Sequence, residues 1–219
     1  MTAHGIILDM DGTLIDSNDA HARAWQRAFA EHHLEVPFDR IRPLIGMGSD
    51  QLLPRLAGIE KESLQGQALS EAWTRYFQEE LPSLRPLDGA RSLLEALRAR
   101  GMRLVLASSG DPKLLDRLIG LVNIRDLLDG STSSGDGASK PAPDTLQAAL
   151  NQLGLPPEQV VMLGDTPHDL EAARRAGVRM IALRSGGFSD ADLAGAAEIW
   201  NDPQDLGEHL EESLLGQSV

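Results

Sequence analysis

Short apolar runs alternate with amphipathic segments from residue 83 onward, and this alternation restricts the fold of the chain more than any other feature. The apolar runs predict buried β-strands at residues 103–107, 160–163 and 180–183. The segments that carry apolar residues at helical spacing are 89–100, 112–119, 143–153 and 167–176. Strands that alternate with helices are typical of βα units, so we predict an α/β fold with a parallel sheet.

The ends of these predicted helices carry the expected residue types. Proline begins three of the helices, and glycine follows two of them, at Gly101 and Gly177. Proline suits the first turn of a helix and glycine suits the position after its end. Near the end of the sequence we expect one last edge strand at residues 198–200 and a closing helix around residues 206–215.

The sequence between the first strand and the βα region has a different pattern. Long helical periodicities at residues 19–33 and 61–78 enclose no convincing strand. Residues 16–82 therefore predict a helical insert rather than another part of the sheet.

The length of the chain agrees with such an insert. At 219 residues the chain is longer than most single domains, which leaves room for a core domain and a smaller second one. We expect residues 1–15 and 83–219 to form the α/β core and residues 16–82 to form a helical domain. The chain crosses between them near Asp16 and near Pro82, and these crossings are natural hinges.

The first fifteen residues hold the strongest chemical signal. An apolar run ending at Leu8 is followed by Asp-Met-Asp-Gly-Thr, which places Asp9 at the carboxyl end of a strand and Asp11 two positions later. Open α/β sheets bind ligands at that end of their strands. Two acids in different environments can divide the work, one attacking an electrophile and the other moving protons. We interpret Asp9 as a covalent nucleophile; the alternative is a surface turn, because Asp and Gly are common turn formers.

Polar groups that phosphate chemistry uses follow the later strands and loops. Ser108 begins a Ser-Ser-Gly cradle of hydroxyl and amide groups, and Lys140 lies among prolines before a helix. Asp165 follows a predicted strand, and together with Asp9 it can hold a hard cation such as Mg²⁺. Asp169 is placed to orient that site. The alternatives are a helix cap or a turn for Ser108, a solvated lysine for Lys140 and a first-turn acid for Asp169.

Charge and composition narrow the classes of ligand. The formal net charge of −13 argues against nucleic acid as a partner, and a phosphate site in such a protein needs a cation, a lysine and backbone amides. No apolar run approaches the roughly 20 residues that span a bilayer, and the amino terminus lacks a signal-peptide pattern. The absence of cysteine excludes disulfides and thiolate metal sites. We predict a soluble, cytoplasmic protein with no membrane partner.

Four clusters together resemble the motifs of the haloacid dehalogenase superfamily of phosphotransferases. They are Asp-Met-Asp-Gly-Thr at residues 9–13, Ser108, the Lys140-Pro141 pair, and Gly-Asp-Thr-Pro-His-Asp at residues 164–169. The likeness covers essentially the whole chain if the helical insert is the superfamily's small α-helical cap. It implies a doubly wound, Rossmann-like parallel sheet in a three-layer α/β/α core, and it is greatest for the phosphoglycolate phosphatase and β-phosphoglucomutase branch.

The resemblance implies a role for each of four residues in phosphoryl transfer. Asp9 is expected to attack phosphorus and form an aspartyl phosphate. Asp11 is expected to protonate the leaving oxygen and later to deprotonate water. Ser108 and Lys140 are expected to hold phosphate oxygens.

The same resemblance implies a magnesium site. Mg²⁺ is expected on the carboxylate of Asp9, the backbone carbonyl of Asp11 and the carboxylate of Asp165, where it neutralises charge. Asp169 is expected to support these ligands without binding the ion itself.

Three functions remain to be separated. The first is a Mg²⁺-dependent phosphatase that hydrolyses a small phosphorylated metabolite, phosphoglycolate or a sugar phosphate, as a monomer or homodimer. An acid at Asp11 favours it, because the superfamily's dehalogenases and phosphonate hydrolases lack that acid. A phosphomutase of the β-phosphoglucomutase type is the alternative, although the cap loop lacks the basic residues of that pattern. A non-catalytic binding protein is the third, and the presence of every catalytic residue type argues against it.

The predicted cap holds three candidates for substrate contact. His21 begins a helix with an apolar stripe, and it either approaches the catalytic acid or packs inside the cap. Gly48 and Ser49, within Gly-Met-Gly-Ser-Asp, resemble the loop by which such caps close over a substrate. This loop is not a dinucleotide fingerprint, because Gln51 replaces the third glycine and no strand precedes it.

Overall fold

The protein is described by a computed structural model that covers residues 3–135 and 137–216 and divides into two compact units. The helical unit is the single stretch Ser17–Leu84. The core unit is formed by the residues up to Asp16 together with those from Arg85 onward. The sequence-based boundaries lie at residues 15 and 82, and a cap function for the helical unit stays a prediction.

The core unit contains a parallel sheet and a small two-stranded one. Its strands, within the described ranges, are β1 Gly5–Leu8, β2 Ile15–Asp16, β3 Arg85–Pro86, β4 Arg103–Ala107, β5 Gly130–Thr132, β6 Val160–Gly164, β7 Arg179–Leu183 and β8 Glu198–Trp200. Six of them pair in parallel in the order β5-β4-β1-β6-β7-β8. This order confirms the predicted fold class, a Rossmann-like parallel sheet with helices.

The strand β1 lies in the middle of the parallel sheet. Its Ile7 stands opposite Val105 of β4 on one side and Met162 of β6 on the other. All four residues of β1 are buried. A continuous apolar run of this kind is typical of a strand covered on both faces, which explains why the sequence predicts it clearly.

Three strands of the core unit were not expected from periodicity. Ile15–Asp16 and Arg85–Pro86 pair antiparallel beside the two points where the chain leaves and re-enters the core unit. The edge strand Gly130–Thr132 lies between the predicted helix at residues 112–119 and Lys140, where no strand was predicted. Gly130 and Ser131 have low strand propensity, and pairing of Gly130 with Val105 on β4 determines the conformation of this strand.

The helical unit contains two long α-helices and two shorter ones. They are α1 Asn18–Glu31, α2 Phe38–Ile41, α3 Ser49–Ala57 and α4 Leu64–Glu80. The long helices α1 and α4 pack together around aromatic residues that include Trp25 and Phe29. As the sequence indicates, no strand of either sheet falls within this described stretch.

The remaining helices belong to the core unit. They are α5 Ala90–Ala99, α6 Pro112–Val122, α7 Asp144–Leu153, α8 Pro167–Ala176 and α9 Pro203–Glu208. The last helix begins and ends earlier than predicted, because the Asp202 side chain caps it by accepting from Asp205 N–H at 2.8 Å, and a separate 3₁₀ turn covers Leu210–Glu212. No helix in the described part of the chain is both long and apolar enough to span a bilayer.

Apolar residues cover both faces of the parallel sheet. On one face, Met162 and Met180 pack in a cluster with Leu150 of α7 and Ala173 of α8. Side chains alternate along a strand, so Leu104 of β4 and Ile6 of β1 point to the other face, where they are also fully buried. The polar residues that follow the strands therefore lie at the rim of a rigid, close-packed layer.

Candidate active site

The central strand places Asp9 at the carboxyl edge of the sheet. Asp9 directly follows β1, and its backbone N–H donates to the carbonyl oxygen of Leu163 in β6 at 2.9 Å. The chain continues from β1 to β4 on one side, while β6 flanks β1 on the other side. Such a reversal of strand order opens a crevice where α/β sheets bind ligands. The Asp9 side chain is nevertheless only 8% exposed.

Lys140 links two of the predicted site residues. Its side chain is 1% exposed, and its ammonium group forms ion pairs with Oδ1 of Asp9 and, at 2.8 Å, with Oδ1 of Asp169. Its backbone N–H donates to Oγ of Ser109 at 3.3 Å. Burial disfavours the ammonium ion, but the charges of Asp169 and Asp9 outweigh burial and raise the pKa of Lys140. A solvated lysine, the alternative, is excluded.

Asp165 is the most enclosed acid of the group. It follows β6 and is fully buried, and its Oδ1 accepts a hydrogen bond from Oγ1 of Thr13 at 3.0 Å. Thr13 belongs to the turn that also carries Asp9, so this bond joins the two acidic segments. Gly186 lies on another side of Asp165, where a Cβ atom would stand 2.6 Å from the Cβ and Cγ of the acid.

Asp169 is held by the start of helix α8. Its Oδ2 accepts from the backbone N–H and the hydroxyl of Thr166, at 3.1 and 2.6 Å, and its own N–H donates back to Thr166 Oγ1 at 3.1 Å. This reciprocal arrangement is a capping box. The other oxygen, Oδ1, faces Lys140. Asp169 therefore acts both as a first-turn acid of α8 and as a partner of the buried lysine.

The electrostatics of this cluster favour a cation. Carboxylate oxygens of Asp9, Asp165 and Asp169 lie within 4.8 Å of one another, and all three residues are buried. Burial raises the pKa of Asp9 to about 7, with Asp169 and Asp11 adding to the effect and Lys140 opposing it. One buried ammonium does not balance three buried carboxylates. Since Mg²⁺ binds oxygen ligands and neutralises such an excess, the residues present fit a divalent cation.

The two other core residues predicted for the site lie on neighbouring segments. Asp11 is partly buried in the turn after β1, close enough for its charge to act on Asp9. Ser108 directly follows β4, the strand beside β1, and its Oγ accepts from the N–H of Gly110 at 3.0 Å. The hydroxyl thus makes a local turn, which was one of the alternatives for Ser108, and phosphate binding by Ser108 stays a prediction.

The three predicted substrate residues of the helical unit have defined positions within that unit. His21 is buried and stacks on Phe77, with ring centroids 3.9 Å apart, and on Trp73 at 5.5 Å. Gly48 precedes helix α3 and Ser49 is its first residue. The stacking establishes packing for His21, and contact of any of the three with substrate stays a prediction.

Sequence reasoning missed three residues that brace the acids. Thr13 ends the Asp-Met-Asp-Gly-Thr motif, but nothing in the pattern indicates its bond to Asp165. Thr166 precedes Pro167, and a proline at the first helical position is a signal for a helix start, so it also identifies Thr166 as the N-cap residue of α8. Ser185, whose hydroxyl donates to the carbonyl oxygen of Gly12 at 2.7 Å, carries no sequence signal at all.

Comparison with known families assigns the protein to a class. Residues 3–177 match the model of a hydrolase family described as haloacid dehalogenase-like hydrolase. The chain therefore belongs to the haloacid dehalogenase-like hydrolases, as the motifs predict.

Individual relatives narrow this assignment. A phosphoglycolate phosphatase of Rhodospirillum rubrum is 31% identical in an alignment of 221 positions that covers 94% of this chain and 90% of the relative. An N-acetylmuramic acid 6-phosphate phosphatase of Pseudomonas aeruginosa is 29% identical in an alignment of 225 positions that covers 98% of this chain and 97% of the relative. A solved structure of a hydrolase from Pseudomonas syringae has a TM-score of 0.90 and 30% identity, covering 95% of this chain and 98% of that one. The phosphoglycolate phosphatase-like branch is confirmed, and so is the enzyme class, a phosphoric monoester hydrolase.

Proposed function

We propose that the protein is a Mg²⁺-dependent phosphatase that hydrolyses a small phosphomonoester through an aspartyl phosphate on Asp9. The observation that carries the proposal is the buried cluster at the carboxyl edge of the sheet, where Lys140 joins Asp9 to Asp169 beside Asp165. These four residues come from distant parts of the chain and lie together at one site. Four unrelated structural roles would not require them to meet.

The chemical steps follow from the residues in place. The carboxylate of Asp9 attacks phosphorus, the bond from phosphorus to the leaving oxygen breaks, and Asp11 donates a proton to that oxygen. Asp11 then takes a proton from water, which attacks the same phosphorus and releases inorganic phosphate and the Asp9 carboxylate. Ser108 and Lys140 hold the phosphate oxygens, so the phosphoryl group stays aligned with the attacking and leaving oxygens during transfer.

The metal ligands in this proposal are the carboxylates of Asp9 and Asp165 and the backbone carbonyl of Asp11. A bound Mg²⁺ supplies positive charge next to the phosphoryl oxygens and lowers their repulsion of the nucleophile. Asp169, with its oxygens engaged by Thr166 and Lys140, orients the lysine rather than binding the ion.

The substrate class comes from the relatives. Phosphatases of phosphoglycolate, N-acetylmuramic acid 6-phosphate and fructose 1-phosphate are among the proteins that this chain resembles over most of its length. A small acidic or sugar phosphate is therefore the proposed substrate. Solved structures described as β-phosphoglucomutases are 22% and 19% identical to this chain and share the fold alone. Mutase activity is therefore one result that the experiment must distinguish from phosphatase activity. The cytoplasmic location and the monomeric or homodimeric state stay predictions.

A panel of phosphate esters tests the proposal. With Mg²⁺ the protein is expected to release inorganic phosphate from phosphoglycolate or from one of the sugar phosphates, and chelation with EDTA is expected to stop the release, because the acidic cluster then lacks its cation. The specificity constant ranks the esters. Interconversion of glucose phosphate isomers after priming with a bisphosphate would support the mutase instead, and no reaction with any ester would contradict catalysis.

Replacing Asp11 by Ala is expected to lower kcat/KM by about 10²- to 10⁴-fold, the usual contribution of a general acid and base. The loss should be smaller for p-nitrophenyl phosphate than for an alkyl phosphate, because p-nitrophenolate leaves without a proton. Asp116→Ala, which removes an exposed acid paired with Arg125 on the surface, is the control and should retain activity. Equal losses for both esters would mean that Asp11 does not protonate the leaving group.

A further inference from the structure

The connection that follows strand β7 reaches both acidic segments of the site. Ala182 near the end of β7 pairs with Gly164 at the end of β6, so the two strands finish side by side. The chain then makes a single 3₁₀ turn, Arg184–Gly186. Because Asp165 directly follows Gly164, the β7 turn lies next to this acid.

Ser185 contacts the turn that carries Asp11. Its Oγ donates to the carbonyl oxygen of Gly12 at 2.7 Å, and Gly12 has a φ of 74° that residues other than glycine rarely adopt. The carbonyl of Gly12 and the N–H of Thr13 belong to one planar peptide unit. A hydrogen bond that fixes this carbonyl therefore also restricts Thr13, whose hydroxyl donates to Asp165 at 3.0 Å.

Gly186 contacts Asp165 from another direction. A Cβ atom on Gly186 would stand 2.6 Å from the Cβ and Cγ of Asp165, a separation that real Cβ atoms do not reach. The φ of Gly186 lies outside the left-handed region, so the backbone itself would accept alanine. Glycine is required at this position because of the close approach to the acid.

We propose that Ser185 and Gly186 are positioning residues for the metal site. Ser185 sets the turn of Asp9, Asp11 and Thr13, and Gly186 allows Asp165 to reach it. Together they determine how tightly the site binds a divalent cation. The inference rests on the proposed function only in taking Asp165 and the Asp11 carbonyl as ligands, and metal binding can be measured without any substrate.

Calorimetric titration of the protein with Mg²⁺ alone tests the role of Ser185. Ser185→Ala is expected to raise the Kd for Mg²⁺ roughly fivefold, the effect of one lost hydrogen bond. Ser185→Thr, which keeps a hydroxyl, should bind like the unchanged protein. Ser189→Ala is the matched control, because the Ser189 hydroxyl in the same connection bonds Asp192 at the surface. In turnover assays the Ser185→Ala variant should need more Mg²⁺ for half-maximal rate but reach a similar kcat.

Gly186→Ala tests the second contact and is expected to weaken Mg²⁺ binding by about 10- to 100-fold, the range for groups that orient metal ligands. Thermal unfolding shows whether this variant is folded, and Ser185→Ala decides the question if it is not. Unchanged Mg²⁺ affinity in Ser185→Ala, or equal weakening in the Thr variant or the Ser189 control, would overturn the inference. Ester hydrolysis by the unchanged protein would still support the proposed function in that case. Mg²⁺ binding that is weakened as expected in the variants, without ester hydrolysis by the unchanged protein, would support the inference and contradict the proposed function.

Discussion

Asp9→Asn is expected to abolish phosphate release, with a loss on the order of 10⁶-fold in kcat, as for removal of the nucleophile from other covalent hydrolases. The amide nitrogen and oxygen of asparagine occupy the same space as the carboxylate but do not attack phosphorus. The fold should persist, because the substitution removes one of three buried negative charges and leaves Lys140 paired with Asp169. Without added Mg²⁺, the melting temperature is therefore expected to stay equal or rise.

Acid quenching during turnover of a ³²P-labelled ester gives the direct measurement for Asp9. The unchanged protein should retain label as an aspartyl phosphate, and the Asp9→Asn protein should retain none. Asp116→Asn serves as the matched control, since Asp116 is exposed on α6 and pairs only at the surface with Arg125 in the described contacts. Residual turnover near the level of the control would exclude Asp9 as the nucleophile.

The edge of the sheet where the site lies is predictable from sequence, and the reason is geometric. Apolar runs that end in Asp9 and in Asp165 identify two buried strands, and the carboxyl ends of parallel strands meet at one edge. Which strands are neighbours does not follow from these runs, and the structure places β6 directly beside β1. Element ends are less predictable: α4 runs from Leu64 to Glu80, whereas periodicity indicates residues 61–78.

The contacts inside the site are not predictable in the same way. Lys140 comes after a stretch of Gly and Ser that resembles an open loop, yet its side chain is buried between Asp9 and Asp169. Ser185 reaches Gly12 across 173 positions of sequence. Such contacts depend on how loops close over the sheet edge, and no local periodicity reports on loop closure.

The helical unit shows a second limit of sequence reasoning. A histidine at the start of α1 is compatible with catalysis and with packing, and composition does not separate them. In the structure His21 lies in a stack with Trp73 and Phe77 of α4, four positions apart and therefore on one face of that helix. Pairing of α1 with α4 brings these rings together. The packing of His21 therefore depends on tertiary structure, which the residue pattern of one helix does not indicate.

Lys140→Met is expected to destabilise the protein by about 3–5 kcal/mol, the usual effect of removing one partner from a buried ion pair. The methionine fills the space of the lysine stem but leaves Asp9, Asp165 and Asp169 close together without the ammonium group. For a chain of this size such a loss lowers the melting temperature by on the order of 10 °C. Phosphate release should also be lost, because Lys140 holds Asp9 and is proposed to bind the phosphate.

A double variant separates charge from packing at this position. In Lys140→Met with Asp169→Asn, one of the uncompensated carboxylates becomes neutral, so part of the lost melting temperature should return while activity does not. The Asp169→Asn single variant completes the double-mutant cycle, which gives the coupling of the two side chains. Lys113→Met, on the exposed first turn of α6, applies the same change where no burial is involved and should leave both properties unchanged. If Lys140→Met melted like Lys113→Met, the buried ammonium would not be the group that holds the three acids together.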